Sequence, residues 1–196
     1  MSIARGQRLK GPERKAQIID VATDLIGERG YWGVSIQDIA TRCAITDTAV
    51  LHHFGSKESL LLAVLESRDE RDRRALADLL GLARSELYDR LPQVTLVDFC
   101  DALVQRNASQ PAIVALYAVL DAEALNPDHP AHRYFQERER LVIKSFARTA
   151  SELPLEPRER GRLVLSLMDG LQLRWLRDRS IDLLTQWRLI SDRLLC

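Results

Sequence analysis

Residues 46–49 read Thr-Asp-Thr-Ala, so a hydroxyl, a carboxylate, a second hydroxyl and a bare methyl fall within about one helical turn. These groups suit the edges of base pairs. Thr48 can hydrogen-bond to several bases, Ala49 can touch a thymine methyl, and Asp47 can accept from a cytosine amino group or orient a neighbour. His52 and His53 follow one turn later, and Ser56 with Lys57 closes the run with a second capping hydroxyl and an ammonium. A helix start carrying a nearby cation suits a phosphate oxygen. Thr46 and Ser56 read equally as plain helix caps, and a cap with a free lone pair can still face a phosphate.

Positioning these groups requires two short helices and a tight turn, and residues 35–57, SIQDIATRCAITDTAVLHHFGSK, supply both. Ile36, Ile39, Ala40 and Cys43 make an i, i+3, i+4, i+7 stripe that buries one face of a first helix. Ser35 caps it, Asp38 stands where the acid of a capping box stands, and Val34 and Ile39 form the staple pair. Thr46 repeats the design for a second helix with Ile45 and Val50 as its staple, leaving only Ala44 and Ile45 for the turn. Helices joined so closely cross steeply, and the second projects its N-terminal residues outward, as in a helix-turn-helix.

The first helix carries an Ile18, Ala22, Leu25 and Ile26 stripe and ends in Glu28-Arg29-Gly30 followed by Tyr31-Trp32-Gly33; with the Ile39-Ala40 pair and HHFGSKESL over residues 52–60, residues 14–65 resemble the TetR family of transcriptional regulators. The resemblance implies an all-α chain: an N-terminal three-helix helix-turn-helix DNA-binding domain over residues 1–57, then a helical ligand-binding and dimerisation domain over 58–196. The DNA contacts it implies are Ser35, Thr46, Asp47, Thr48, Ala49, His52, His53 and Lys57. Two positions depart from the family pattern. Ala44 occupies the usual turn glycine, where a left-handed backbone costs Ala roughly 1 kcal/mol. Leu51 occupies the usual phosphate-touching tyrosine, with His52 as its substitute donor.

A chain of 196 residues that is 46% hydrophobic is long enough for a substantial core and two domains. Its formal net charge is zero, yet residues 1–19 hold Arg5, Arg8, Lys10, Arg14 and Lys15 against Glu13 alone. The basic arm, about residues 1–11, reads either as a phosphate or minor-groove contact or as a solubilising terminus. The N-terminus lacks a secretory apolar core and no long apolar run occurs, so a cytoplasmic protein without a membrane partner is expected. Cys43, Cys100 and Cys196 are odd in number and widely spaced, which fits neither a disulfide framework nor a zinc site. Cys43 and Cys100 read as buried thiols.

Beyond residue 65 prolines punctuate a series of helices. A connecting helix is expected over about 57–84, then helices near 95–109, 111–125, 131–152, 158–179 and 181–195. Residues 112–120, AIVALYAVL, are apolar on every side and call for a helix enclosed by others. Polar groups entering such a core need partners, which an effector pocket or internal ion pairs to Arg106 would supply. The candidates for effector contacts are Asp101, Arg106, Tyr117, Asp121, Gln172 and Trp175. The last two helices are rich in Leu and Trp, and the resemblance implies that they pair across a two-fold axis. Leu167, Leu171 and Trp175 share one face, and Trp187, Ile190 and Leu194 another, as the expected interface.

Two recognition helices about 34–36 Å apart would enter successive major grooves, so a palindromic double-stranded operator is expected. A small-molecule effector would alter that separation through the connecting helix, and the expected function is a ligand-responsive repressor. No catalytic constellation, cofactor motif or metal set competes. The best enzyme candidate, His129 and His132 beside Asp128 and Glu137, is split by Pro130 and reads as helix capping. The remaining alternative is a helical interaction protein that keeps the helix-turn-helix as scaffold.

Overall fold

A computed structural model describes residues 11–194; most of the basic arm and Cys196 lie outside the described residues. The all-α expectation holds. Among the described residues ten α-helices follow in order: α1 (Gly11–Arg29), α2 (Ile36–Arg42), α3 (Asp47–Phe54), α4 (Lys57–Leu79), α5 (Leu87–Arg90), α6 (Leu96–Ala108), α7 (Pro111–Glu123), α8 (His132–Arg148), α9 (Pro157–Arg177) and α10 (Leu183–Leu194). A 3-10 turn (Leu91–Gln93) follows α5, and among the described residues the only strand-like pairing is an isolated bridge between Thr95 and Ala150. No described helix is long and apolar enough to cross a membrane.

Several helix ends differ from the sequence expectation for local reasons. The helix α4 stops at Leu79 because Gly81 takes φ +65° and lets the Gly81 and Leu82 amides close on the Asp78 and Ala77 carbonyls at 3.2 and 2.9 Å. The short α5 and the 3-10 turn then replace the expected end of the connecting helix. α8 ends at Arg148 because Thr149 is extended and Ala150 is drawn onto Val94 and Leu96 through two backbone bonds of 2.9 and 2.8 Å. α10 begins at Leu183 because the Asp182 carboxylate accepts the Thr185 N–H at 2.7 Å.

Two apolar cores form. The first gathers Ile18, Ala22, Leu25 and Ile26 of α1 with Ile39, Ala40 and Cys43, Val50, and Leu60, Leu61, Val64 and Leu65 of α4. It continues into Leu116 and Leu120 of α7 and Phe135 of α8, so the first helices do not close on themselves alone. α7 packs along α1, with Leu116 against Gly27. The second core joins Leu76, Leu91, Phe99, Cys100, Phe146, Met168, Trp175 and Trp187. The expected full enclosure of α7 is corrected: only Val114, Leu116 and Leu120 are buried, while Ala112 is exposed and Ile113, Ala115 and Val119 are half-buried. Cys43 and Cys100 are buried, free thiols, and burial raises both pKa values.

Candidate nucleic-acid interface

The reading helix is set by its caps. Ser35 Oγ accepts the Asp38 N–H at 3.1 Å while the Asp38 carboxylate accepts from the Ser35 hydroxyl and from the Ser35 N–H, the latter at 2.8 Å, and these two Ser35 donors, the hydroxyl first, hold the Asp38 carboxyl below its ordinary range. The turn that follows uses Ala44 at φ +53°, the only non-glycine residue with positive φ among the described residues. Its geometry matches the end of α4: the Ala44 and Ile45 amides close on the Thr41 and Ala40 carbonyls at 3.1 and 3.0 Å. Thr46 Oγ1 then accepts the Ala49 N–H at 3.2 Å and starts α3.

Val50 is wholly buried, which fixes the opposite face of α3 outward. Thr46, Asp47, Thr48, Leu51 and His52 are exposed, Ala49 and His53 are half-buried, and the two imidazoles stand edge to face with centroids 5.7 Å apart. Ser56 caps α4 by accepting the Ser59 N–H at 3.1 Å after Gly55 turns the chain at φ +81°. On α1, Lys15 is exposed at its edge, with its ammonium 5.4 Å from the Phe54 ring. The free helix face, the capped start of α4 and the start of α1 thus combine groups able to meet base edges and phosphates.

Lys57 stands elsewhere than a simple phosphate contact would require. Its ammonium donates to the Tyr31 carbonyl at 2.7 Å and lies 4.0 Å from the centroid of the Tyr31 ring, and burial lowers its pKa. It therefore locks the start of α4 to the loop after α1. That loop is held from the other side by Glu123 at the end of α7, whose carboxylate accepts the Tyr31 N–H at 2.8 Å. Gly30, at φ +72°, leaves the room: a Cβ there would overlap the Glu123 carboxylate. His129, 2% exposed, packs edge to face on Tyr31 and Trp32, with Nε2 3.6 Å from the same carboxylate. Sequence reasoning missed this junction; its signal was the Gly30-Tyr31-Trp32-Gly33 run, whose partners lie 92 residues away.

The six residues expected to meet an effector do not converge. Tyr117 and Tyr134 each donate a hydroxyl to Asp69, at 3.0 and 2.6 Å, with Arg138 4.7 Å from the Tyr117 ring centroid. Arg106 bonds to Asp72 at 3.1 Å, which also pairs with the buried Arg68. Arg68 Nε has no acceptor among the described residues, and burial pulls the guanidinium pKa down to about 10. Asp101 accepts the Trp187 indole N–H at 2.9 Å, and Gln172 accepts from Asn107 at 3.3 Å. Trp175 is buried beneath Arg179, and Asp121 is exposed. Only Tyr117 and Arg106 thus belong to the polar cluster along α4.

The residues of the expected interface take different places within the subunit. Leu171, Trp175 and Trp187 are buried in the subunit's own second core, and Leu167 and Ile190 pack against it half-buried; Leu194 alone is well exposed. An i, i+4, i+8 stripe marks a buried face without saying what buries it. The outward faces carry Leu163, Leu173 and Leu189 instead, with Ser166 and Gly170 between the first two.

The model for bacterial regulatory proteins of the tetR family matches residues 18–64. Over 169 residues the chain is 31% identical to the HTH-type transcriptional regulator BetI of Burkholderia cenocepacia (strain HI2424), covering 82% of this chain and 81% of that protein. It is 28% identical over 177 residues to the HTH-type transcriptional repressor KstR2 of Rhodococcus jostii (strain RHA1), covering 84% and 75%. A solved transcriptional regulator from Saccharomonospora viridis in complex with choline shares the fold, with a TM-score of 0.68 at 19% identity over 93% of this chain and 95% of that one. With a capped reading helix bared on the first core and relatives matched along most of their length, the chain belongs to the tetR family of bacterial regulatory proteins, DNA-binding helix-turn-helix transcriptional regulators.

Proposed function

We propose that the chain is a homodimeric cytoplasmic repressor that occupies a palindromic operator and leaves it when a small molecule binds. Residues 1–57 form the DNA-reading unit and residues 58–196 the effector and dimerisation unit. The observation that carries this reading is the Glu123–Tyr31 bond, which ties α7 to the loop that orients α2 and α3. A ligand that shifts α7 then acts on the reading helix without touching it. Such coupling is typically about 1–3 kcal/mol and reciprocal.

The effector site lies at the polar cluster between α4, α7 and α8, where Arg68, Asp69, Tyr117, Tyr134 and Arg138 meet. The choline complex of the Saccharomonospora regulator supports a small ligand in this architecture. The dimer forms through the outward faces of α9 and α10, centred on Leu163, Ser166, Gly170, Leu173, Leu189 and Leu194, a reading supported by the exposed leucines there and by the open space at Gly170 that a partner helix could approach. Selection of bound duplexes from a random pool, followed by a reporter driven through the selected site, tests the proposal. Enrichment of a two-fold symmetric site at which the protein lowers expression is expected. An asymmetric site, or expression that rises with the protein, overturns it.

A further inference from the structure

We infer that Leu51 is a base-reading residue whose methyl groups meet the C5-methyl of a thymine in the major groove. The inference rests on α3 being the helix that enters the groove. Exposed leucines are ordinary on protein surfaces, so position decides the matter. Leu51 is 40% exposed beside the fully buried Val50, on the same side of α3 as Asp47 and Thr48, which lie four and three residues earlier. The rise from Thr48 to Leu51 is about 4.5 Å, between one and two base-pair steps of about 3.4 Å, so the two side chains can address different, nearby pairs.

Leu51 has no donor or acceptor and cannot hydrogen-bond a phosphate. Pressed against a base edge, it would leave most positions unpaired: adenine, guanine and cytosine present only donors and acceptors in the major groove. Thymine alone offers a methyl. The side chain thus favours thymine by burying that methyl and disfavours the other bases by leaving their polar edges without water. Asp47 and Thr48 supply polar readout at adjacent positions, and Leu51 supplies the apolar one.

The test uses the full chain and the operator selected with it. Each thymine of a half-site is replaced in turn by deoxyuridine, which removes only the C5-methyl, and affinities are measured for the wild type and Leu51→Ala. Ala is at least as good a helix former as Leu, and the position lies outside the core, so the variant keeps its fold, which its melting temperature verifies. The expected result is one thymine at which the wild type loses about fourfold on losing the methyl, the equivalent of one buried CH₂ group, while Leu51→Ala loses nothing further. A wild type indifferent to every deoxyuridine overturns the inference, as does a sensitivity that persists unchanged in Leu51→Ala. Should no duplex be selected at all, the DNA-reading role of α3 falls with it; a specific operator without methyl dependence removes only the role of Leu51.

Discussion

The Glu123 carboxylate accepts the Tyr31 amide N–H at 2.8 Å, while Lys57 donates to the carbonyl of the same residue at 2.7 Å. One residue of the loop before α2 is therefore gripped from both halves of the chain. A hydrogen bond to a charged group of this kind contributes about 1.5–3 kcal/mol. Glu123→Ala is expected to lower stability in urea by about that amount and to weaken operator binding, whereas Glu123→Gln, which keeps an acceptor, restores much of both. Operator affinity unchanged in Glu123→Ala would separate the junction from DNA reading.

The neighbouring Gly30 has two reasons to lack a side chain: φ +72° and the Glu123 carboxylate in the space a Cβ would take. Gly30→Ala should therefore destabilise by at least about 1 kcal/mol through backbone strain alone. Chemical denaturation measures it, and a neutral result would contradict the packing of this loop.

At Ala44 the expectation runs the other way. Its φ of +53° suits glycine, and nothing about the exposed position needs the methyl. Ala44→Gly should raise stability by about 0.5–1 kcal/mol, the relief of a left-handed residue outweighing the added freedom of the unfolded chain. Thermal melting decides the sign.

His129 links stability to pH. Its Nδ1 accepts the Ala131 N–H at 3.2 Å, leaving the ring proton on Nε2 toward Glu123. Burial lowers its pKa despite Glu123, with His132 and Lys57 acting in the same direction as burial. The unfolded chain thus binds the proton more readily, so the histidine's share of stability is intact above about pH 6.5 and is lost as pH falls below it. His129→Asn keeps an acceptor two residues before the same amide and does not titrate. The melting temperature of the variant should fall less than that of the wild type between about pH 7.5 and about 5.5; equal falls would remove His129 as the cause.

Gly170 lies open on the outward face of α9. Gly170→Arg has room in an isolated subunit and none against a closely packed partner helix. Sedimentation should show the wild type as a dimer and the variant as a folded monomer with weakened operator binding. A dimeric variant would place the interface elsewhere.

The helix-turn-helix was legible because its information is local: Ser35, Thr46 and Ser56 each cap within three residues, and Ile39, Cys43 and Val50 bury at helical spacing. Ala44 revealed its backbone by standing where the turn needs a left-handed residue. Long-range partners left no such trace. Glu123 reads as a charge at a helix end until α7 is laid along α1, and Lys57 reads as a phosphate ligand until Tyr31 is brought beneath it. Trp187 and Leu171 announce a buried face, but only the packed subunit shows that its own α6 and neighbouring helices bury them.

Hydroxyl-radical footprinting on the selected operator tests the central claim most directly. Wild-type protein should protect two stretches about one helical turn apart on one face of the duplex, and Asp47→Ala with Thr48→Ala should erase both together while the fold persists. Protection confined to one stretch, or protection that survives the double substitution, would contradict paired reading by α3.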